Sequence, residues 1–136
     1  NGFLDTIRDG HPETPIVLIS PIFCGIHEHT AGPGAFDPAS FATGRVKFIA
    51  TGAPGDESQG RLTLSVIRRE LAALAERRAS DPNLFFLDGT ELYGEADARR
   101  LPLPDDLHPG PEAHQLMGDR FADYAFGPNG PFSARS

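Results

Sequence analysis

Leu103-Pro104-Asp105-Asp106-Leu107-His108-Pro109-Gly110 places a carboxylate three residues ahead of a histidine. A tight loop can fold that spacing so that Asp105 accepts the imidazole Nδ1–H. Nε2 of His108 is then free to take a proton from a nucleophile, while the carboxylate stabilises the imidazolium that forms. The segment stands between an apolar run, Leu84 to Leu87, and a helix expected from Pro111. Enzymes of the α/β class concentrate catalytic groups in loops beyond the C-terminal ends of their strands. A solvated loop in which Asp105 or Asp106 only caps a turn uses the same residues, so the local pattern leaves both readings open.

Other side chains offer weaker chemistry. Gly55-Asp56-Glu57-Ser58-Gln59-Gly60 echoes a nucleophile elbow, but Asp56 replaces its first glycine and no buried strand leads into it. Ser20 follows a strand, yet Pro21 removes the backbone N–H that an elbow uses for an oxyanion hole, so its expected role is to end that strand. His27-Glu28-His29, with Asp37 nearby, supplies imidazole and carboxylate ligands without a third ligand at diagnostic spacing; a wet surface loop or a substrate-facing lid fits it better than a metal site. His11 precedes a proline where a helix should end, and His114 lies inside the last helix, free to pack or to face solvent. The Asp–His chemistry requires no metal or organic cofactor.

The elements that would hold Asp105 and His108 follow from periodicity and punctuation. Phe3, Leu4 and Ile7 read as the last turns of an amphipathic helix stopped at Gly10 and Pro12. Pro15 to Ile19 is β-branched and apolar on both faces, as in a strand of a parallel sheet covered on each side. Residues 21–62 form a long glycine- and proline-rich connection, broken by a short strand at Val46 to Ala50; loops of this length are functional or disordered. From Thr63 to Arg78, Leu64, Ile67, Leu71 and Leu74 step by three and four behind a threonine able to cap a helix. Leu84 to Leu87 is the second strand, so strand, helix and strand make a parallel βαβ crossover of right-handed sense. Pro111 to Tyr124 closes the chain as a helix with proline in its first turn and Leu116, Met117, Phe121 and Tyr124 available for packing.

Composition bounds what the chain can be. Its 136 residues suit one domain or a large piece of one. A formal charge of −7, with basic residues paired only at 68–69, 77–78 and 99–100, argues against nucleic-acid partners. No apolar run approaches the ~20 residues of a membrane-spanning helix. Cys24 stands alone, so no internal disulfide forms and the compartment stays open. Two strands apolar on both faces need neighbours, because stable sheets have three or more strands. The expectation is therefore a truncated or cleaved domain, or one whose sheet a second copy or a complementing chain completes.

Asp105-Asp106-Leu107-His108-Pro109, followed by Ala113-His114 and Gly118 on a helix, resembles the last conserved block of the SGNH hydrolases, the GDSL-like lipase/acylhydrolase family, in its actinobacterial esterase-like branch. Ile7-Arg8-Asp9-Gly10-His11-Pro12, Pro15 to Pro21 and Leu84 to Gly89 follow in the matching order, and the resemblance covers nearly the whole chain. It implies that residues 1–136 are the C-terminal portion of a single domain with a three-layer α/β/α, flavodoxin-like, doubly wound parallel sheet, and that residues 21–62 border the substrate pocket as a lid. It implies Asp105 and His108 as catalytic acid and base in an ester hydrolase acting on a small-molecule or acylated substrate. The family's Gly-Asp-Ser block and its oxyanion-hole glycine and asparagine blocks are absent from these residues. Asn1-Gly2 does not match the asparagine block, so Asn1 receives no catalytic role. A different expectation follows from the same absence: a catalytically inactive fragment or assembly module that pairs through its sheet edge.

Overall fold

The computed structural model describes residues 2–133; Asn1 lies outside the described residues. Helix α1 (Gly2–Gly10) leads into strand β1 (Ile16–Ile19), and a long excursion follows. Helix α2 (Leu64–Arg77), strand β4 (Leu84–Leu87), the short helices α3 (Gly89–Leu92) and α4 (Glu95–Arg100), and helix α5 (Pro111–Phe126) complete the chain. Within the excursion lie strands β2 (Gly34–Phe36) and β3 (Phe48–Ala50) and two 3-10 turns, Pro38–Thr43 and Asp56–Gln59.

β1 and β4 pair in parallel, with Ile16 opposite Leu84 and Ile19 opposite Leu87. This is the mixed α/β arrangement with parallel strands that the two apolar runs predict. Among the described residues the parallel sheet has two strands, and most of their side chains are only half-buried. Thr63 caps α2 as its position predicts, its Oγ1 accepting the Val66 N–H at 3.3 Å. Arg8 forks onto Asp81 and donates to the carbonyls of His11 and Thr14, so the end of α1 is tied to the turn between α2 and β4. Tyr124 of α5 donates to the Phe86 carbonyl of β4 at 3.2 Å.

The segment 21–62 is more structured than the sequence reading of one long connection. Its predicted strand shortens to Phe48–Ala50 and pairs antiparallel with Gly34–Phe36, Phe36 standing opposite Phe48. Three residues containing a glycine carry no alternation of their own; β2 exists because the cross-strand partner supplies its hydrogen bonds and an aromatic pair.

A core of Cys24, Tyr93, Leu103 and Ala113 lies beneath the loop that carries the Asp–His pair, with Ile26, Leu107 and Met117 packed against it. Burying a side chain such as Leu103 contributes roughly 1.5–3 kcal/mol, and here that stabilisation acts on the loop itself. Tyr93 is fully buried and its hydroxyl donates to the Leu101 carbonyl at 2.6 Å. Arg120 reaches from α5 to grip both oxygens of the buried Asp97 on α4 and also donates to the Leu92 carbonyl. The Arg120 guanidinium holds the Asp97 carboxyl below the usual range despite its burial. Both ends of the segment 101–110 are thereby fixed.

Candidate active site

The loop between α4 and α5 is shaped by its own backbone before any chemistry is considered. Asp105 Oδ1 accepts the amide of Leu107 at 3.0 Å and that of His108 at 2.6 Å, turning the chain tightly enough to bring the imidazole back over the carboxylate. Oδ2 then meets His108 Nδ1 at 2.7 Å. The capping geometry and the Asp–His contact, which the local sequence pattern leaves as alternatives, coexist on one side chain.

Electrostatics follow from this double use. Partial burial works against the Asp105 charge, but the His108 amide, the imidazole and the Leu107 amide outweigh it and hold the carboxyl at about 2. Asp105 is therefore ionised at neutral pH and accepts Nδ1–H, which leaves the lone pair of a neutral His108 on Nε2. The His108 side chain is 65% exposed against 26% for Asp105. Among the described residues Nε2 has no hydrogen-bond partner, so it faces outward, ready to exchange a proton with a group brought to it.

The excursion 21–62 closes on this loop from one side. Phe48 N–H donates to the Asp105 carbonyl at 2.9 Å, and the Phe48 ring meets the His108 imidazole edge-on, with centroids 5.4 Å apart. Lys47 Nζ pairs with Asp106 Oδ2 at 2.8 Å. Asp106 sits in the left-handed region, φ 68°, and its carbonyl faces the Cys24 thiol at 3.5 Å. Burial pushes the Cys24 thiol up, so it remains a protonated donor and not a nucleophile. Sequence reasoning missed the parts played by Lys47, Phe48 and Cys24. The signal available was one aromatic and one lysine beside each other in a short strand, which has no meaning until the strand is placed against residue 105.

The remaining candidates stay apart from this loop. Ser20 is buried, its Oγ accepting the Gly89 N–H at 2.9 Å and donating to Asp88 at 3.3 Å, which ties the ends of β1 and β4 together. It ends a strand, as its following proline predicts. Ser58 donates to the Gly55 carbonyl at 2.7 Å inside a 3-10 turn. His27, Glu28 and His29 diverge: His27 Nδ1 turns to the Thr30 carbonyl, Glu28 pairs with Arg68, and His29 is exposed. Among the described residues no three His, Cys, Asp or Glu side chains are grouped to hold a metal ion. His114 is exposed on α5, and His11 is exposed after α1, where its amide donates to the Ile7 carbonyl. No helix is long and apolar enough to cross a membrane among the described residues.

Fold and site together define a mixed α/β unit in which a buried-side carboxylate orients an outward-facing histidine on the loop before the closing helix. No family model matches the sequence, and no curated protein matches it significantly. Among solved structures the chain is similar to a salicylyl-acyltransferase, SsfX3, from a tetracycline biosynthetic pathway, with 24% identity and a TM-score of 0.58. The match covers 88% of this chain and 28% of that one, so the chain spans under a third of the acyltransferase's length. At this identity the likeness shows a shared α/β fold.

Proposed function

We propose that this chain carries the acid–base half of an SGNH-type serine acyl-hydrolase site, within a flavodoxin-like α/β domain. The observation that carries the reading is the division of labour at Asp105: one oxygen anchored by two amides, the other 2.7 Å from His108 Nδ1, with Nε2 turned to the outside. Position supports it too, since the pair stands on the loop that follows β4, α3 and α4 and precedes α5.

In this mechanism a serine from outside these 136 residues attacks the acyl carbonyl while its proton passes to His108 Nε2. The imidazolium, stabilised by Asp105, returns that proton to the departing alcohol. Water then takes the alcohol's place, giving a proton to Nε2 as it attacks the acyl-enzyme, and Nε2 returns that proton to the serine oxygen as the acyl–serine bond breaks and the acid leaves. The low pKa of Asp105 keeps it ionised throughout, so it orients and stabilises without receiving the proton. An acceptor alcohol can use the same base in place of water, and the likeness to an acyltransferase is compatible with either fate of the acyl-enzyme.

The test is His108→Ala in the whole protein. Hydrolysis of p-nitrophenyl acetate should fall by about 10³-fold or more with the far-UV circular dichroism unchanged. A fluorophosphonate probe should label a single serine, with labelling reduced by the same substitution. Near-normal turnover would remove His108 from the reaction.

A second reading, an assembly module without catalysis, is favoured by one observation: β1 and β4 are a two-stranded parallel pair with half-buried faces and an exposed Ile19. It predicts that the 136-residue chain forms a stable dimer by light scattering and that no serine is labelled in any assembly containing it.

A further inference from the structure

An aromatic ladder runs outward from the reactive histidine. The Phe48 ring lies 5.4 Å from the His108 imidazole, Phe36 lies 5.0 Å from Phe48, and Phe41 lies 6.4 Å from Phe36, each measured between ring centroids. Phe36 and Phe41 are 57% and 56% exposed. Two tilted rings left open to solvent beside the half-buried Phe48 are costly for a surface loop, and their backbone is held firmly: Asp37 accepts the Ala39 amide, Ser40 Oγ accepts the Lys47 amide, and β3 is bonded to Asp105. The Lys47–Asp106 ion pair joins the residue just before β3 to the loop that carries His108, so an apolar strip is set beside a polar contact, the composition of a small-ligand subsite.

What this strip can bind is set by which side of the reaction His108 serves. Nε2 is the group that hands a proton to the alcohol oxygen as the acyl carbon–oxygen bond breaks, the bonding electron pair leaving with that oxygen and the acyl group staying on the nucleophile. A surface continuous with the imidazole is thus next to the alcohol portion of the ester, with the acyl portion directed away from the base. We infer that Phe48, Phe36 and Phe41 form the alcohol subsite and select esters of alcohols bearing a flat aromatic group. This rests on the proposed reaction for its orientation, but binding of the alcohol itself does not require the reaction.

The experiment therefore has two arms on the whole protein. In the first, 2-naphthylmethanol is titrated and followed by NMR on the phenylalanine ring and His108 imidazole signals. It should bind with shifts at Phe36, Phe41 and Phe48, and Phe36→Ala/Phe41→Ala should weaken the affinity about tenfold, the loss of ~1.4 kcal/mol of stacking. Both rings are exposed, and Phe36→Leu/Phe41→Leu, which keeps apolar bulk, serves as a second variant that should show an intermediate loss. In the second arm, kcat/KM for 2-naphthylmethyl acetate is divided by that for ethyl acetate, two esters sharing an acyl group. The ratio should exceed one and fall about tenfold in the double alanine variant. Binding without turnover would support the subsite and sink the esterolytic reading. Turnover with no naphthyl preference, or binding untouched by either variant, would overturn the subsite while leaving the reaction standing. Absence of alcohol binding together with retention on phosphatidylcholine vesicles, lost in the alanine variant, would overturn it in favour of a membrane contact.

Discussion

Asp105 and His108 are joined twice: Oδ2 of the carboxylate lies 2.7 Å from the imidazole Nδ1, and Oδ1 accepts the amide of the same histidine at 2.6 Å. The carboxylate therefore fixes both the ring of His108 and the backbone from which that ring projects. Rotating the Asp105 side chain would break both of these contacts and the one with the Leu107 amide, so the carboxylate that orients the exposed imidazole is itself held in place.

Asp105→Asn separates these two tasks. The amide oxygen of asparagine can still accept the Leu107 and His108 amides, so the turn persists and circular dichroism should match the wild type. The amide is neutral, and it cannot stabilise the imidazolium or enforce the Nδ1–H tautomer. In the whole protein, kcat for ester hydrolysis should fall by about 10³–10⁴. A loss below tenfold would show that the pair is only a turn.

The same carboxylate makes stability depend on pH with a defined sign. Its folded pKa, about 2, lies below the ordinary carboxyl value of 3.8, so the folded state binds the proton less readily than the unfolded chain. The contribution is complete above roughly pH 4 and is lost as pH falls toward 2. For a carboxylate that is a quarter exposed this amounts to roughly 1–2 kcal/mol after solvent screening. Chemical denaturation of wild type and Asp105→Asn should give a stability difference that shrinks as pH falls from 4 to 2. A difference that stays unchanged down to pH 2 would contradict the assignment.

Much of this arrangement is legible in the residues, and the reason differs by element. β1, β4 and α2 carry their own signals: β-branched or aromatic apolar runs bounded by proline and aspartate, and a three-four apolar step behind a capping threonine. The spacing of Asp105 and His108 is local, so the loop could be read without knowing the fold. α3 and α4 could not, because Gly-Thr-Glu-Leu and Glu-Ala-Asp-Ala-Arg-Arg are short and polar and are held in place by Asp88, by Asp97 and by Arg120 from the far end of the chain. The Phe48–His108 contact spans 60 residues of chain and has no local signature at all.

Asp106 tests how tightly the loop is set. Its φ of 68° is tolerated by aspartate and unstrained for glycine, whereas a β-branched residue there is strained by about 1–2 kcal/mol. Asp106→Gly relieves backbone strain and loses a half-exposed pair with Lys47 that contributes ~0.2–1 kcal/mol, so the two terms should nearly cancel. Asp106→Val loses the pair and adds the strain, and should destabilise by about 2 kcal/mol. Equal denaturation midpoints for the two variants would mean that residue 106 relaxes out of the left-handed region.

Ser20 and Gly89 together lock the C-terminal ends of the parallel strands. Gly89 donates to Ser20 Oγ from a buried position, and a Cβ at Gly89 would overlap the Ser20 carbonyl oxygen and the Pro21 backbone. Ser20→Ala leaves the Gly89 N–H buried without its acceptor, at a cost of about 1–3 kcal/mol. Gly89→Ala cannot be accommodated by a side-chain rotation, since the atoms it meets are backbone; β1 and β4 must move apart, and the loss should exceed that of Ser20→Ala. Urea denaturation of both variants tests the order. Because Ser20 is bonded to Gly89 and Asp88 and not to His108, Ser20→Ala should leave fluorophosphonate labelling of the whole protein intact wherever the variant is folded. Loss of labelling in a folded Ser20→Ala protein would identify Ser20 as the nucleophile and overturn its assignment as a strand lock.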